Sequence, residues 1–347
     1  MERSRRRNGF SHVMTACALS LLFASVAVAA ETPSPGPEEG SGFPSPKVQP
    51  AEITTAATRA MMLSSARAGR RIVAVGAHGI VLLSDTDGAD FRQAKSVPVR
   101  STLTAVHFVD GKTGWAAGHW GVVIRTDDGG ESWQLQRVDT AVDQPLFSVH
   151  FRDRENGWAV GLWSLLVSSH DGGKTWAPVR IPPPPGGKKA DRNLLKIFAN
   201  RMGTLFVAAE AGLILRSYDG ESWSYLETGY KGSFWTGIAL SNGTLLVGGL
   251  RGTIYRSADG GSSWKESKTE MKSSITDFAE AGGKVFAVGL DGVSYESGDG
   301  GATFKATQRN DRLPFTAIAI ANNGRPVKFS KQGIVEEPPN PATKEAR

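Results

Sequence analysis

Short apolar runs alternate with glycine-rich and polar turns along most of the chain. The clearest example lies at residues 114–133, where two apolar runs, 115–117 and 122–124, surround a turn with a glycine on each side, and a polar run then ends at Trp133. Short apolar runs bounded by glycine and aspartate predict β-strands joined by tight turns. The chain is therefore expected to be built from strands rather than helices.

The polar run at the end of this segment occurs in six copies. The most complete copies read Ser/Thr-x-Asp-Gly-Gly-x-Ser/Thr followed by an aromatic residue, a shorter copy covers residues 217–223, and a degenerate copy covers residues 84–91. The aromatic residues that end the six copies are Phe91, Trp133, Trp176, Trp223, Trp264 and Phe304. Four short strands in each interval of 40–47 residues predict the blades of a β-propeller, whose sheets bury their faces against one another.

A seventh unit begins at residue 315 but lacks the polar turn and the fourth strand. The predicted fold is therefore all-β: a seven-bladed β-propeller with four antiparallel strands in each blade. An unpaired strand edge promotes aggregation, so a strand from elsewhere in the chain is expected to cover it. Residues 48–54 are the candidate, as an N-terminal strand that completes the last blade and closes the ring.

The aspartates of the polar turns are predicted to be structural. A carboxylate in such a turn accepts hydrogen bonds from N–H groups of the turn, and the glycines adopt conformations that residues with a Cβ atom disfavour. A carboxylate used in this way has little capacity left for a metal ion or for acid chemistry. The structural aspartates of these turns, called Asp boxes below, are Asp128, Asp171, Asp219, Asp259 and Asp299.

The first 30 residues have the pattern of a signal peptide for export. Four arginines precede an apolar run at residues 13–28, and Ala27-Val28-Ala29 matches a cleavage site. The expected location is outside the cytoplasm, in the periplasm. The expected segments are a signal peptide at 1–30, a proline-rich flexible tether at 31–46, the propeller at 47–335 and a polar tail at 336–347.

Cleavage of the signal peptide limits what the exported protein contains. Cys17 is the single cysteine and lies in the signal peptide, so neither a disulfide nor thiol catalysis is expected. No later segment has the ~20 apolar residues of a membrane span, so no stable anchor is expected; retention of residues 13–30 as a short anchor is the alternative. The net charge of +6 falls to +3 when four arginines and Glu2 leave, which is too mild to indicate nucleic acid.

One face of the propeller is predicted to bind a partner. In a four-stranded blade, the turn between the second and third strands lies on the same face as the crossover to the next blade, while the Asp boxes lie opposite. Aromatic and basic residues dominate these turns and crossovers, which suits a peptide-binding surface. The predicted binding residues are His119, Trp120, Trp163, Lys188, Lys189, Arg192, Tyr230, Lys231, Phe234, Trp235, Arg251 and Arg312.

Several residues on or near this face, and two histidines of the inner strands, also have a structural interpretation. Trp120 and Trp163 occupy neighbouring blades and can pack against adjacent turns. His78 and His119 have no third partner, so no metal site is expected. His107 and His150 hold equivalent places in two inner strands and are interpreted as core residues rather than catalysts.

The sequence resembles the photosystem II assembly and stability factor family. The resemblance covers about residues 50–335 and rests on Gly-Trp-Ala-x-Gly followed by an Asp box at 114–133 and 157–176, and on Gly-Ser-Phe-Trp at 232–235. It implies a non-catalytic protein without a cofactor that holds a membrane-protein client on the lumenal side, with an arginine-rich patch on the propeller. A monomer is expected.

Two other functions remain open. Sialidases share the propeller and the Asp boxes, but they need three arginines, a tyrosine nucleophile with a glutamate, an aspartate acid and an Arg-Ile-Pro motif. Residues 180–182 spell that motif after the third Asp box and run into polyproline, and only Tyr225 and Tyr230 lie near the candidate face. A sialidase-like hydrolase or glycan-binding propeller is one alternative, and an accessory protein of a membrane transporter in a non-photosynthetic bacterium is the other.

Overall fold

Seven antiparallel sheets follow one another along the chain in the computed structural model, which describes residues 49–139 and 141–336. Blade 1 contains β1 (Met62–Ala68), β2 (Arg71–Gly76), β3 (Val81–Ser84) and β4 (Arg92–Gln93). Blade 2 contains β5 (Leu103–Phe108), β6 (Gly114–Gly118), β7 (Val123–Thr126) and β8 (Gln134–Arg137). Blade 3 contains β9 (Leu146–Phe151), β10 (Gly157–Gly161), β11 (Leu166–Ser169) and β12 (Ala177–Pro178).

The remaining blades repeat this order. Blade 4 contains β13 (Leu194–Ala199), β14 (Leu205–Ala209), β15 (Leu213–Ser217) and β16 (Ser224–Glu227), and blade 5 contains β17 (Phe234–Ala239), β18 (Leu245–Gly249), β19 (Ile254–Ser257) and β20 (Lys265–Glu266). Blade 6 contains β22 (Ile275–Ala281), β23 (Lys284–Gly289), β24 (Val293–Ser297) and β25 (Thr303–Gln308), and the short β21 (Lys268–Thr269) pairs parallel to β25. Blade 7 contains β26 (Phe315–Ile320), β27 (Pro326–Ser330) and β28 (Gly333–Ile334).

The first strand of every blade is the inner strand, and each inner strand contacts the inner strand of the next blade. The series runs from β1 to β26, and β26 contacts β1 to complete the ring. Within each blade the strands lie in sequence order from the axis outwards. This confirms the predicted all-β, seven-bladed propeller with antiparallel blades.

The core is divided among the interfaces between blades. The second strands of blades 2 to 5 are buried along their whole length, because a neighbouring blade covers each face. Between blades 2 and 3, the ring of Trp115 stacks on that of Phe151 with centroids 3.5 Å apart. Each blade therefore depends on its two neighbours for burial, so a ring of this size needs no second domain.

The Asp-box turns use their carboxylates internally. One carboxylate oxygen of Asp128 accepts hydrogen bonds from the Ser132 N–H at 3.0 Å and the Thr126 hydroxyl at 2.8 Å, and its other oxygen accepts from the Ser132 hydroxyl. Burial alone would raise the pKa of Asp128, but these hydrogen bonds outweigh it and lower the pKa. In the next blade, hydrogen bonds from Thr175 and then Ser169 lower the pKa of Asp171 to about 2.

The other boxes follow the same scheme. The carboxylates of Asp259 and Asp299 accept from a hydroxyl two residues earlier and from the N–H and hydroxyl four residues later. In the shorter copy, Asp219 accepts from the N–H groups of Glu221 and Ser222. The aromatic residue that ends the turn folds back on it, since the indole of Trp133 donates to the Gly130 carbonyl at 3.0 Å.

Asp boxes also connect neighbouring blades. The Gly172 carbonyl of blade 3 accepts from the Trp115 indole at 2.8 Å and from the Arg125 guanidinium at 3.0 Å, both in blade 2. The Gly220 carbonyl of blade 4 accepts from the Trp158 indole of blade 3 at 2.9 Å. Arginines of the preceding blade make the corresponding bonds to Gly129 and Gly300.

Closure of the ring differs from the prediction. The described part of the proposed closing strand, residues 49–54, forms no strand. It lies along blade 1 instead, because the Ala51 N–H donates to the Val97 carbonyl at 3.0 Å and the Gln93 side chain bonds the backbone of both Glu52 and Thr54. The prediction that an N-terminal strand closes the ring is therefore wrong for these residues.

Blades 7 and 1 are joined by side-chain packing. Phe329, Val327 and Ala317 of blade 7 share one buried cluster with residues of blade 1 that include Met62 and Leu82. On the side of the ring that carries the Asp boxes, the Asn322 N–H of blade 7 donates to Asp87 of blade 1 at 2.8 Å. The ring therefore closes face to face, as at every other interface between blades, and not by sharing a sheet.

The ends of the chain lie outside the described residues. The predicted signal peptide at 1–30, the tether at 31–46 and all of the tail except Glu336 fall there, so these assignments stay predictions. Within residues 49–139 and 141–336, no helix has the length and apolar character needed to cross a bilayer.

Two adjacent aspartates test the role of the Asp box. We expect Asp128→Ala to lower the free energy of unfolding by about 1–3 kcal/mol, because the hydroxyl and N–H groups of the turn lose their acceptor. Asp127 is more than half exposed and pairs with Arg125 at the surface, so Asp127→Ala is the matched control and is expected to cost under about 1 kcal/mol. Urea unfolding of both variants measures the difference, and equal losses would contradict the structural role of Asp128.

Candidate functional site

The turns between second and third strands have the same shape in blades 1 to 6. Each is a single turn of 3-10 helix whose middle residue has a left-handed backbone, with φ between 53° and 59°. Residues with a Cβ atom adopt this conformation at a cost of roughly 1 kcal/mol or more, so the fold imposes it here. The six middle residues are His78, Trp120, Trp163, Ala211, Arg251 and Asp291.

A close backbone approach explains the glycine that precedes these turns. A Cβ atom on Gly118 would lie 2.1 Å from the Thr102 carbonyl oxygen, and one on Gly161 would lie 2.1 Å from the Pro145 carbonyl oxygen. In these two blades glycine is needed for the turn to lie against the start of the inner strand, whereas blade 4 has Ala209 at the same position. The last glycine of Gly-Trp-Ala-x-Gly therefore positions the turn that follows it.

Crossover residues hold these turns in place. The N–H of Trp120 donates to the Asp143 carboxylate at 2.8 Å, and the N–H of Trp163 donates to the Asn193 side chain at 3.0 Å. The N–H of Arg251 donates to the Ser274 hydroxyl at 3.1 Å. These three polar residues were not among the predicted site residues. The signal that could have identified them is a polar side chain one to three residues before the inner strand of the next blade.

The turns and crossovers lie on one side of the ring, which we call the inner-turn face, and the Asp boxes lie on the other, the Asp-box face. This follows from the antiparallel order of four strands in a blade. Trp163 is 61% exposed and is the one tryptophan among the strongly exposed large apolar side chains of the described chain. Val142, in the crossover between blades 2 and 3, is also exposed and was missed by the sequence analysis. Blades 2 and 3 therefore carry an apolar part of this face.

The structure separates the predicted binding residues by exposure. Trp120 is half-buried and packs on the core between blades 1 and 2, and His119 is half-buried with its ring nitrogen 3.5 Å from Asp143. Half-buried residues also include Arg192, Tyr230 and Trp235. The exposed residues besides Trp163 are Lys188, Lys189, Lys231, Arg251 and Arg312.

Phe234 is a correction to the predicted face. It begins the inner strand β17 and is fully buried in the core between blades 4 and 5. Its ring packs edge-on against that of Tyr255, with centroids 5.7 Å apart. An aromatic residue at this position fills the interface between two blades and has no surface to offer a partner.

The inner strands bring titratable side chains together near the axis. The rings of His107 and His150 lie 4.5 Å apart, and the His107 ring contacts the Phe151 carbonyl at 3.0 Å. Burial lowers the pKa of His107 to about 4, with a further decrease from Lys196, and it lowers the pKa of His150 as well. Burial raises the pKa of Asp277 in the same ring of strands. Both histidines are therefore neutral at pH 7.

Metal ligands and the two tyrosines near the candidate face are the groups that bear on possible catalysis. In this part of the chain, no group of three or more His, Cys, Asp or Glu residues is arranged to hold a metal ion. The Tyr225 hydroxyl is buried and burial raises its pKa, which opposes the ionisation that a nucleophile needs. The Tyr230 hydroxyl donates to the Leu250 carbonyl at 3.3 Å.

Comparison with known proteins gives one family match. The family described as Photosynthesis system II assembly factor YCF48 matches residues 84–226 and 133–282, together more than half of the chain. No curated protein matches the chain by sequence.

Solved structures with similar folds include the following three. The structure described as YCF48 bound to D1 peptide has a TM-score of 0.64 and 17% identity, covering 82% of this chain and 94% of that chain. YCF48 from Cyanidioschyzon merolae has a TM-score of 0.63 and 14% identity, covering 82% and 96%. A streptogramin B lyase has a TM-score of 0.67 and 11% identity, covering 82% and 95%. At these identities the three structures establish the propeller fold.

Because both histidines are neutral in the folded protein, we expect the folded state to lose stability in mild acid. The pKa of each histidine is lower in the folded protein than in the unfolded chain, so the unfolded chain takes up protons first as the pH falls. The stability that is present above about pH 6.5 is therefore lost as the pH decreases. We expect the pair to cost about 1–2 kcal/mol between pH 7 and pH 5, less than complete burial would give, because both histidines keep some exposure to solvent.

Unfolding midpoints at the two pH values check this expectation. The double variant His107→Asn/His150→Asn should show a smaller shift than the unmodified protein, while His170→Asn, at an exposed site, should not change it. The raised pKa of Asp277 acts in the opposite direction and is common to all three proteins. An unchanged pH dependence in the double variant would contradict the prediction.

Proposed function

The chain belongs to the Photosynthesis system II assembly factor YCF48 family, and on this premise we propose that it is a non-catalytic assembly factor whose inner-turn face holds a peptide segment of a membrane-protein client. The family match is the observation that carries the proposal. A structure described as YCF48 bound to D1 peptide supports a peptide as the form in which the client is recognised.

Trp163 is proposed as the centre of the binding surface. Its side chain is 61% exposed while its backbone is fixed by the bond from its N–H to Asn193. A large aromatic side chain on a fixed backbone loses little conformational entropy when it binds, and tryptophan is among the residues that most often dominate peptide and protein interfaces.

Basic residues are proposed to attract and orient the client. Arg251 is exposed and its N–H is held by Ser274, and Lys231 is exposed in the crossover that precedes blade 5. Acids also lie on this face: Glu210 accepts from both the N–H and the side chain of Asn193, and Asp291 is exposed in the corresponding turn of blade 6. Exposed basic residues such as Arg251 and Lys231 increase the rate of encounter with an acidic segment.

The client is proposed to lie outside the cytoplasm. The predicted signal peptide at residues 1–30 supports export to the periplasm, or to the thylakoid lumen of a photosynthetic host. After cleavage the chain would work as a monomer without a membrane anchor, without a cofactor and without nucleic acid.

The alternatives have less support. The sialidase-like alternative needs a tyrosine nucleophile, and the two tyrosines near the candidate face are poorly suited, because the hydroxyl of Tyr225 is buried and that of Tyr230 is hydrogen-bonded. An accessory protein of a membrane transporter would differ from the main proposal in the identity of its client, and not in the way the client binds. Identification of the captured client therefore separates it from the main proposal.

A matched pair of surface changes tests the proposal. Trp163→Ala/Arg251→Ala removes one exposed aromatic and one exposed basic side chain of the inner-turn face, and Tyr218→Ala removes a 70% exposed aromatic residue of an Asp box on the opposite face. We expect capture of a membrane-protein client from solubilised membranes to fall about tenfold or more with the double variant and to be unchanged with Tyr218→Ala.

Quantitative mass spectrometry of the captured proteins and a thermal unfolding curve of each variant provide the readout. Equal capture by the double variant and the control, with both proteins folded, would remove the inner-turn face from the proposal. Turnover of a fluorogenic sialoside by the unmodified protein would replace it with the hydrolase alternative.

A further inference from the structure

The seven inner strands share one register position at the axis of the ring. Each inner strand pairs with its second strand through one irregularity, and the residue that directly follows the irregularity occupies the same position in every blade. We call these seven residues the axial ring. Five are small and neutral and two are charged, and in blade order they are Ser64, Ala105, Ser148, Lys196, Thr236, Asp277 and Ala317.

Side chains of the axial ring reach the inner strand of the next blade. The Ser64 hydroxyl accepts a hydrogen bond from the Val106 N–H of blade 2 at 3.3 Å. The Asp277 carboxylate accepts one from the Ile318 N–H of blade 7 at 3.1 Å. Val106 and Ile318 each come directly after the axial-ring residue of their own strand. The N–H at that position therefore faces the axis, and in these two blades the preceding blade supplies its acceptor.

Lys196 cannot supply such an acceptor. The same register places the Gly237 N–H on the axial edge of β17, in the blade that follows Lys196. A lysine ammonium has three donors and no acceptor, so the junction between blades 4 and 5 brings one donor towards another. Among the described residues, the Lys196 ammonium makes no hydrogen bond and no ion pair. Its charge is therefore not compensated by direct contact.

Asp277 lies near this junction but is already engaged. One oxygen of its carboxylate accepts from the Phe278 N–H at 3.0 Å, and the other accepts from the Ile318 N–H at 3.1 Å. Burial raises the pKa of Asp277, and the positive charge of Lys196 acts in the opposite direction. The two charged groups are therefore near each other without a direct bond.

Thr236 adds a further donor to the junction. It precedes Gly237 in β17 and is 1% exposed, and its hydroxyl has no hydrogen-bond partner of normal geometry in the described chain, although it lies close enough to lower the pKa of Asp277. An unpartnered polar group in a buried site costs free energy. An ammonium, an N–H and a hydroxyl thus meet here, and a negatively charged acceptor would satisfy them.

Solvent reaches the axis of the ring. Burial lowers the pKa of His107 and His150, yet both rings, Lys196 and Asp277 keep part of their surface exposed. Strong desolvation together with exposed surface indicates a narrow channel rather than a sealed core. The charge of Lys196 also lowers the pKa of both histidines, which belong to blades 2 and 3. The ammonium therefore lies within the channel, where a small solute can reach it.

We infer that the axial channel binds a small monovalent anion of the chloride class between the Lys196 ammonium and the Gly237 N–H. The one lysine provides a single positive charge, which a monovalent anion neutralises, and the Thr236 hydroxyl is a further donor. The anion would join blades 4 and 5 in the way that a carboxylate joins blades 6 and 7. The site involves neither Trp163 nor Arg251, so it is independent of peptide binding at the inner-turn face.

Chloride titration tests the inference on the unmodified protein. Sodium chloride replaces sodium gluconate at constant ionic strength, so that only the smaller anion can enter the channel. An ion that binds the folded state alone raises its stability with concentration. The melting temperature should rise by about 3 °C between chloride-free buffer and about 200 mM chloride.

Three variants assign the effect to the axis. Lys196→Met removes the ammonium and keeps the length of the side chain, so it should abolish the chloride-dependent rise. In gluconate it should unfold at the same temperature as the unmodified protein or higher, because a charge without a direct partner has been removed. Lys265→Met, at an exposed position of β20, and Trp163→Ala/Arg251→Ala should both keep the full rise.

Bromide locates the ion. Its anomalous X-ray scattering identifies it in crystals of the unmodified protein, where it should contact the Lys196 ammonium, and this measurement decides the question if Lys196→Met fails to fold. An equal chloride effect in Lys196→Met and the unmodified protein, or bromide bound only elsewhere, would overturn the inference. Bromide at the axis without a chloride effect on stability would show an adventitious ion only.

Discussion

The propeller depends on the way the Asp-box turn satisfies its own charge. Asp171 receives its hydrogen bonds from Thr175 and Ser169 of the same turn, so the carboxylate needs no partner from another blade. The turn is then rigid, and the carbonyl of Gly172 is free to accept from Trp115 and Arg125 of the preceding blade. One short segment thus ends the third strand of its own blade and fixes the distance to its neighbour, and its repetition around the ring sets the positions of the sheets.

The rigidity of the blades explains why the inner turns keep a strained backbone. Left-handed backbone at Trp120, Trp163 and Arg251 costs free energy that a flexible loop would avoid, and it persists because the strands on both sides and the crossover side chain leave no other conformation. Interactions elsewhere in the blade offset the free-energy cost of this backbone conformation. The turn side chains are then held at fixed positions before a partner arrives. Such preorganisation reduces the entropy lost on binding.

The sequence was sufficient to predict the features that every blade repeats, but not the contacts that occur at a single interface. The period of about forty residues and the Asp-box pattern predicted the seven blades, because each blade repeats the same local chemistry. Phe234 was misplaced because an aromatic residue beside a crossover has the same local pattern whether it points to solvent or into the next blade. Asp143, Asn193 and Ser274 were missed because their roles depend on contacts across the interface between turn and crossover, and nothing local distinguishes them from other polar loop residues.

The prediction of how the ring closes was wrong for the same reason, because it depends on long-range contacts and not on local sequence. An unpaired edge argues for a partner strand but does not say which segment supplies it, and residues 49–54 instead meet the side chain of Gln93 and the carbonyl of Val97. Closure does not require a shared sheet, because the cluster that contains Met62, Leu82 and Phe329 buries the faces of blades 1 and 7 directly. Face-to-face burial uses the inner parts of the two blades, where strands β26 and β27 are complete. The outer strand of blade 7 adds to this junction, because Ile334 packs against the same cluster and Gly333 approaches so closely that a Cβ atom on it would lie 1.9 Å from the Thr58 carbonyl oxygen.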